Sequence, residues 1–213
     1  MFYINRNMKY PFFIILFFIF CSPAFAAAPS YPPAVAQAEK YINNIKTAQA
    51  RFLQTAQDGT QAIGTFYLDR PGKLRFEYDD PIEDFIVADG FLIYFYDAGL
   101  GEQSNSPIGL TLADFILRPD LRFEGKLTIT DITRSGGLLQ ITLVQTDDPE
   151  AGAITLGFEE NPMVLKKWRI TDSMNNITEI ELFQLQTGIK LDDRLFVYID
   201  PKRFQGNRYH YND

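Results

Sequence analysis

Between Gly64 and Tyr96, four apolar or aromatic runs are separated by turn punctuation at Arg70-Pro71-Gly72, Asp79-Asp80-Pro81 and Asp89-Gly90. Short apolar and β-branched runs between such breaks predict strands, and Asp-Gly is a strong hairpin signal. The stretch therefore reads as an antiparallel meander. Every position of Leu92-Ile93-Tyr94-Phe95-Tyr96 is apolar or aromatic, so both faces of that strand need cover. On one face the cover could be apolar cargo instead of protein.

Upstream, Val35, Ala38, Ile42, Ile45, Gln49 and Phe52 recur at steps of three and four after Pro32-Pro33, with Gly59 beyond the end. This spacing predicts one helix with Glu39, Lys40, Asn43, Lys46 and Arg51 on its other faces. It either packs on a sheet or covers one end of an open sheet; periodicity does not separate the two. Asp97 to Pro107, rich in Gly, Ser and Asn, reads as a loop. A short helix is expected over Gly109 to Leu117, with Thr111 as its cap and Arg118-Pro119 as its stop. Strand signals then return over Leu127–Thr133, Leu138–Gln145, Ala153–Phe158, Val164–Thr171, Thr178–Gln186 and Phe196–Ile199. Regular strands with short turns imply one large antiparallel sheet, closed or strongly curved, in a single mainly β domain with some α (α+β).

Arg6 and Lys9 precede an unbroken apolar run from Phe12 to Phe20, and Ala24-Phe25-Ala26 follows with small residues at a cleavage-site spacing. That is the pattern of a secretory signal peptide over residues 1–26, too short in its apolar core to span a bilayer. The residue before Cys21 is Phe20, where lipid attachment wants a small side chain, so a soluble product is expected. The domain then covers 27–201 and a polar tail 202–213. Cys21 is the only cysteine, so the processed chain forms no disulfide; an exported chain of this kind suits the bacterial periplasm. Loss of Arg6 and Lys9 lowers Lys plus Arg from 20 to 18 against 27 acids, and the net charge moves from −7 to −9. Such a chain is a poor partner for nucleic acid or anionic headgroups.

Catalytic patterns are missing. The sole histidine, His210, lies in the terminal GNRYHYND, and there is no Gly-x-Ser-x-Gly, phosphate loop or dinucleotide fingerprint. The acidic pairs Asp79-Asp80, Glu83-Asp84, Asp147-Asp148, Glu159-Glu160 and Asp192-Asp193 flank turns, where Asp bonds local backbone. They read as solvated turn acids, neither a glycosidase pair nor a metal site. The expectation is a protein that is not an enzyme and needs no cofactor.

Phe52-Leu53-Gln54, Gly64 to Tyr78 with Arg70-Pro71-Gly72-Lys73-Leu74-Arg75-Phe76, and Ile86-Val87-Ala88-Asp89-Gly90 followed by Leu92 to Asp97 resemble the periplasmic outer-membrane lipoprotein carrier family, LolA. Lys167-Trp168-Arg169-Ile170-Thr171-Asp172, Asn176-Ile177-Thr178 and Phe196 to Pro201 are similar to that family too, so the likeness runs from about Ala34 to Pro201. It implies an unclosed antiparallel β-barrel of about eleven strands, with helices forming a lid over an apolar cavity. It also implies a monomeric carrier that takes acylated lipoproteins from an inner-membrane lipoprotein-releasing transporter to an outer-membrane acceptor.

The resemblance assigns Arg70 as a lid latch that bonds lid backbone carbonyls and holds the empty cavity shut. Phe66 and Leu68 share a strand face with Arg70, and Leu74, Phe76 and Tyr78 alternate in the same way. These five are the cavity candidates. Leu74 departs from relatives, which often carry an aromatic there, and the loop Gly99 to Pro107 is unusually rich in Ser and Asn. Two other classes fit the same residues: a lipid or glycolipid shuttle on this fold, and a signalling or structural interaction module with a fully packed core.

Overall fold

The structure is a computed structural model that describes residues 31–202, so the segment expected to be a signal peptide and the expected tail beyond Lys202 lie outside the described residues. Helix α1, Pro33–Asn44, leads into β1, Thr47–Ala56. The meander follows as β2 Gln61–Asp69, β3 Lys73–Tyr78, β4 Phe85–Asp89, β5 Leu92–Asp97 and β6 Glu102–Pro107. A 3-10 turn, Ile108–Leu110, and the short helix α2, Asp114–Leu117, precede the second half. That half holds β7 Leu127–Ser135, β8 Leu138–Gln145, β9 Gly152–Glu160, β10 Met163–Asp172 and β11 Ile177–Thr187.

All eleven strands form one antiparallel sheet in the order β6-β5-β4-β3-β2-β1-β11-β10-β9-β8-β7. β6 and β7 are edges with no ladder between them, so the barrel is unclosed. The connection from one edge to the other carries α2, while α1 enters the central strand. Both helices pack on the inner face, where Ile42 of α1 and Ile116 of α2 meet Phe66 and Leu68 of β2.

Pro33 opens α1 at the position where a missing N–H costs nothing. The helical stripe breaks at Asn44, earlier than the spacing predicts. Gln49 and Phe52 belong to β1, where Ala48, Ala50 and Phe52 alternate inward with Thr47, Gln49 and Arg51. Apolar steps of two had been masked by chance steps of three and four, since Phe52 satisfies both periods. The polar segment Glu102–Pro107 is likewise a strand, not loop; an edge that pairs only with β5 needs no apolar side chains. Thr111 does not cap α2: its hydroxyl donates to the Ile108 carbonyl, and Ala113 stands at the cap.

Phe196–Ile199 does not join the sheet. A 3-10 turn, Asp193–Phe196, lays this segment on the outer face, where Tyr198 stacks on Tyr94 with centroids 4.7 Å apart. Phe85 stacks on Tyr96 beside it at 5.1 Å. The outer face of β5 thus takes its cover from the chain's own aromatics, while Phe95, on the opposite face, stays partly exposed.

Inside, Phe52, Phe66, Phe76 and Trp168 form an edge-packed aromatic cluster, with ring centroids 4.9 to 6.3 Å apart along its contacts. Each such pair adds about 0.5–1.5 kcal/mol beyond area burial. Gly64 permits this packing: a Cβ there would lie 2.1 Å from the Glu77 carbonyl oxygen and 2.6 Å from the Phe52 ring.

Candidate functional site

Helices leave their last carbonyls without internal partners, and a basic side chain in the final turn can supply donors. Neither α1 nor α2 carries one in its last turn. Arg70, at the end of β2, supplies the donors for both. Its Nη1 donates to the Ile42 carbonyl at 2.6 Å and more weakly to Ile45 at 3.5 Å, and its Nη2 donates to the Arg118 carbonyl at 2.6 Å. The same turn adds backbone donors: Arg70 N–H to Lys46 at 2.7 Å and Gly72 N–H to Leu117 at 2.9 Å. One tight turn thus caps two helices. Gly72 has φ +83°, and a Cβ there would lie 2.9 Å from Gly90, so the turn demands glycine.

Arg70 is 6 % exposed, the one buried charged side chain among the described residues. Burial pushes its pKa down, opposed by the charge of Asp120. No carboxylate hydrogen-bonds the guanidinium, and its Nε has no partner. A buried donor without a partner costs about 1–3 kcal/mol. Every hydrogen bond of this buried guanidinium therefore goes to a peptide carbonyl.

The lid halves are also tied to each other. Asn43 of α1 donates to the Leu121 carbonyl at 2.7 Å and accepts from the Leu121 N–H at 2.9 Å. One turn earlier, Glu39 accepts from the Phe123 N–H at 2.7 Å. Arg118 pairs with Asp114 and lies 5.8 Å from the Phe115 ring centroid. Glu39 and Asn43 were readable only as polar positions outside the helical stripe; their one-turn spacing was the signal that both grip the same segment. The carbonyls of Ile42, Leu117 and Arg118 could not be found from side-chain identities at all.

Beneath Arg70 is a void of about 20 Å³, lined by Phe66, Leu68 and Arg70 with Ile42, Ile116 and Leu182 among its apolar walls. That is room for roughly one water. Beneath Arg70 the hollow implied by the resemblance is thus reduced to this small void. Of the five cavity candidates, Phe66 and Leu68 reach the void. Leu74 and Phe76 are buried in the core beside it. Tyr78 lies at the far end of β3 and donates to Gln54 Oε1 at 2.8 Å; burial pushes its pKa up to about 12. No cluster of metal-ligating side chains occurs among the described residues.

An open antiparallel half-barrel whose greasy interior is sealed by two helices, both capped by one arginine, defines a lidded apolar-ligand carrier. Residues 43–199 match the family described as "Outer membrane lipoprotein carrier protein LolA". The chain belongs to that family. It is 30 % identical over 173 residues to an outer-membrane lipoprotein carrier protein of Methylococcus capsulatus, covering 76 % of this chain and 82 % of that one. A protein of the same name from Chromobacterium violaceum is 30 % identical over 183 residues, covering 83 % and 88 %. A third, from Nitrosomonas europaea, is 26 % identical over 198 residues, covering 88 % and 95 %.

Proposed function

We propose that this protein is a periplasmic, non-enzymatic carrier that holds the acyl chains of lipoproteins under its lid and moves them from the inner to the outer membrane. The observation that carries the reading is the placement of Arg70: a single buried side chain caps both helices over an apolar pocket with only about 20 Å³ of free space. Family membership and the names of the relatives support the choice of lipoprotein as cargo.

Burying an acyl chain of roughly 14–16 carbons out of water gains on the order of 10 kcal/mol, so free lipoprotein does not cross an aqueous gap unaided. Between a bilayer and this protein, however, the apolar gain nearly cancels. What differs is the lid. Opening it uncovers Val35 and Ile42, about 1.5–3 kcal/mol each, and breaks two strong charge-assisted bonds of about the same size. Loading from a membrane therefore needs work supplied from outside, the role of an inner-membrane releasing transporter. Unloading into a membrane, or onto an outer-membrane acceptor, runs downhill as the lid recloses.

The test is a release assay. Inner-membrane vesicles bearing a radiolabelled lipoprotein are incubated with ATP, the releasing transporter and the purified protein. A soluble equimolar complex of carrier and lipoprotein, dependent on acylation of the cargo, is expected. Recovery of phospholipid or glycolipid in the carrier with no lipoprotein would contradict the proposal.

A further inference from the structure

The five N–H groups of Arg70 outnumber the acceptors that the closed lid offers. Nη1 and Nη2 reach the carbonyls of Ile42, Ile45 and Arg118, and Nε, wholly buried, meets none. Beyond those carbonyls the wall around the remaining space is apolar: the side chains of Ile42, Ile45, Leu165, Leu182 and Leu185 carry no acceptor. When the lid moves away, the Ile42 and Arg118 carbonyls leave with it. The guanidinium then faces whatever has entered. Methylenes cannot accept a hydrogen bond, and a guanidinium left unpaired against them would carry a prohibitive desolvation cost.

We infer that Arg70 is a ligand-reading residue as well as a latch: in the loaded state it exchanges the helix carbonyls for a carbonyl oxygen of the acyl ester or amide, which fixes how deep the chain sits. The substrate class is therefore an acyl ester or amide, with the carbonyl at the level of Arg70 and the hydrocarbon against Phe66, Leu68 and Leu182. A hydrocarbon of equal length lacks the acceptor, leaves the cation unpaired and binds more weakly. This rests on the proposed acyl-carrier function and adds to it a rule of selection.

The experiment compares methyl dodecanoate, labelled with ¹³C at its carbonyl, with an alkane of matched length. Uptake is measured by equilibrium partitioning into the wild-type protein and into Arg70→Met. The ratio of ratios removes the difference in water solubility. A charge-assisted bond predicts an ester preference about tenfold or more greater in the wild type than in Arg70→Met. The infrared carbonyl band of the bound ester should also shift to lower frequency in the wild type, a readout that needs no variant to fold. In Arg70→Met the band should return to its position in an apolar solvent. Equal ester preference in both proteins, or an unshifted band in the wild type, overturns the inference and leaves the carrier reading standing. If neither probe enters either protein, the carrier reading falls and this inference falls with it.

Discussion

Asn43 joins α1 to the segment after α2 through two hydrogen bonds on one residue, the Leu121 N–H and C=O. Leu121 is 1 % exposed, so neither group has water to turn to once Asn43 is truncated. Each buried group left unpaired costs about 1–3 kcal/mol. Asn43→Ala should therefore destabilise the protein by about 2–6 kcal/mol. For a domain of this size that corresponds to a fall in Tm of roughly 4–24 °C. The control is Asn44→Ala, one position along the same helix, where the side chain is exposed and makes no side-chain hydrogen bond. A change within about 0.5 kcal/mol is expected there. Urea unfolding followed by the fluorescence of the single tryptophan, Trp168, reads both variants from inside the core. The midpoint should fall for Asn43→Ala with its slope unchanged. Midpoints for the two variants that agree within error would refute the clamp between α1 and the segment after α2.

Other outcomes follow from the same geometry. Arg70→Leu should leave the fold intact but slow the release of cargo to acceptor membranes at least about tenfold, because the reclosed state loses two charge-assisted bonds; unaltered transfer in that variant removes Arg70 from the mechanism. Gly64→Ala should cost about 3 kcal/mol or abolish soluble expression, since its Cβ meets backbone at 2.1 Å as well as the buried Phe52 ring at 2.6 Å; a normal urea midpoint would contradict the close approach of β2 to β3. Tyr78 has a folded pKa raised to about 12, above its unfolded value near 10, so the folded state holds that proton more tightly. Stability is unaffected below about pH 10 and falls by on the order of 1–3 kcal/mol as pH rises towards 12. Tyr78→Phe should show a shallower decline than the wild type over that window, and parallel curves would count against the burial of this hydroxyl.

Much of the fold was legible because turn chemistry is local. Arg70-Pro71-Gly72, Asp89-Gly90 and Ser135-Gly136-Gly137 each fall where strands reverse, and Leu138–Gln145 is bounded as read. The misreadings share a cause. Phe52 and Gln49 fit a helical period as well as a strand period, and only pairing with β2 and β11 decides between them. Glu102–Pro107 has no apolar signal because an edge strand buries little. Phe196–Ile199 has a strand's composition, yet its Tyr198 covers the outer face of β4 and β5, packing on Phe85 and stacking on Tyr94. At the candidate site, Arg70 stood out through family resemblance and not through spacing. Its acceptors are peptide carbonyls, which any sequence supplies, so the partners became visible only once the helix ends were in place.

The central claim is that the packed interior opens to admit acyl chains. Its most direct measurement is photo-crosslinking from a benzoylphenylalanine placed at Phe66, which lines the void beneath the latch. During transfer of an acylated lipoprotein, the account predicts a covalent adduct between this position and the cargo's acyl chains, absent when the cargo lacks them. Only intramolecular products, formed equally with and without cargo, would show that the core stays shut and would contradict the account.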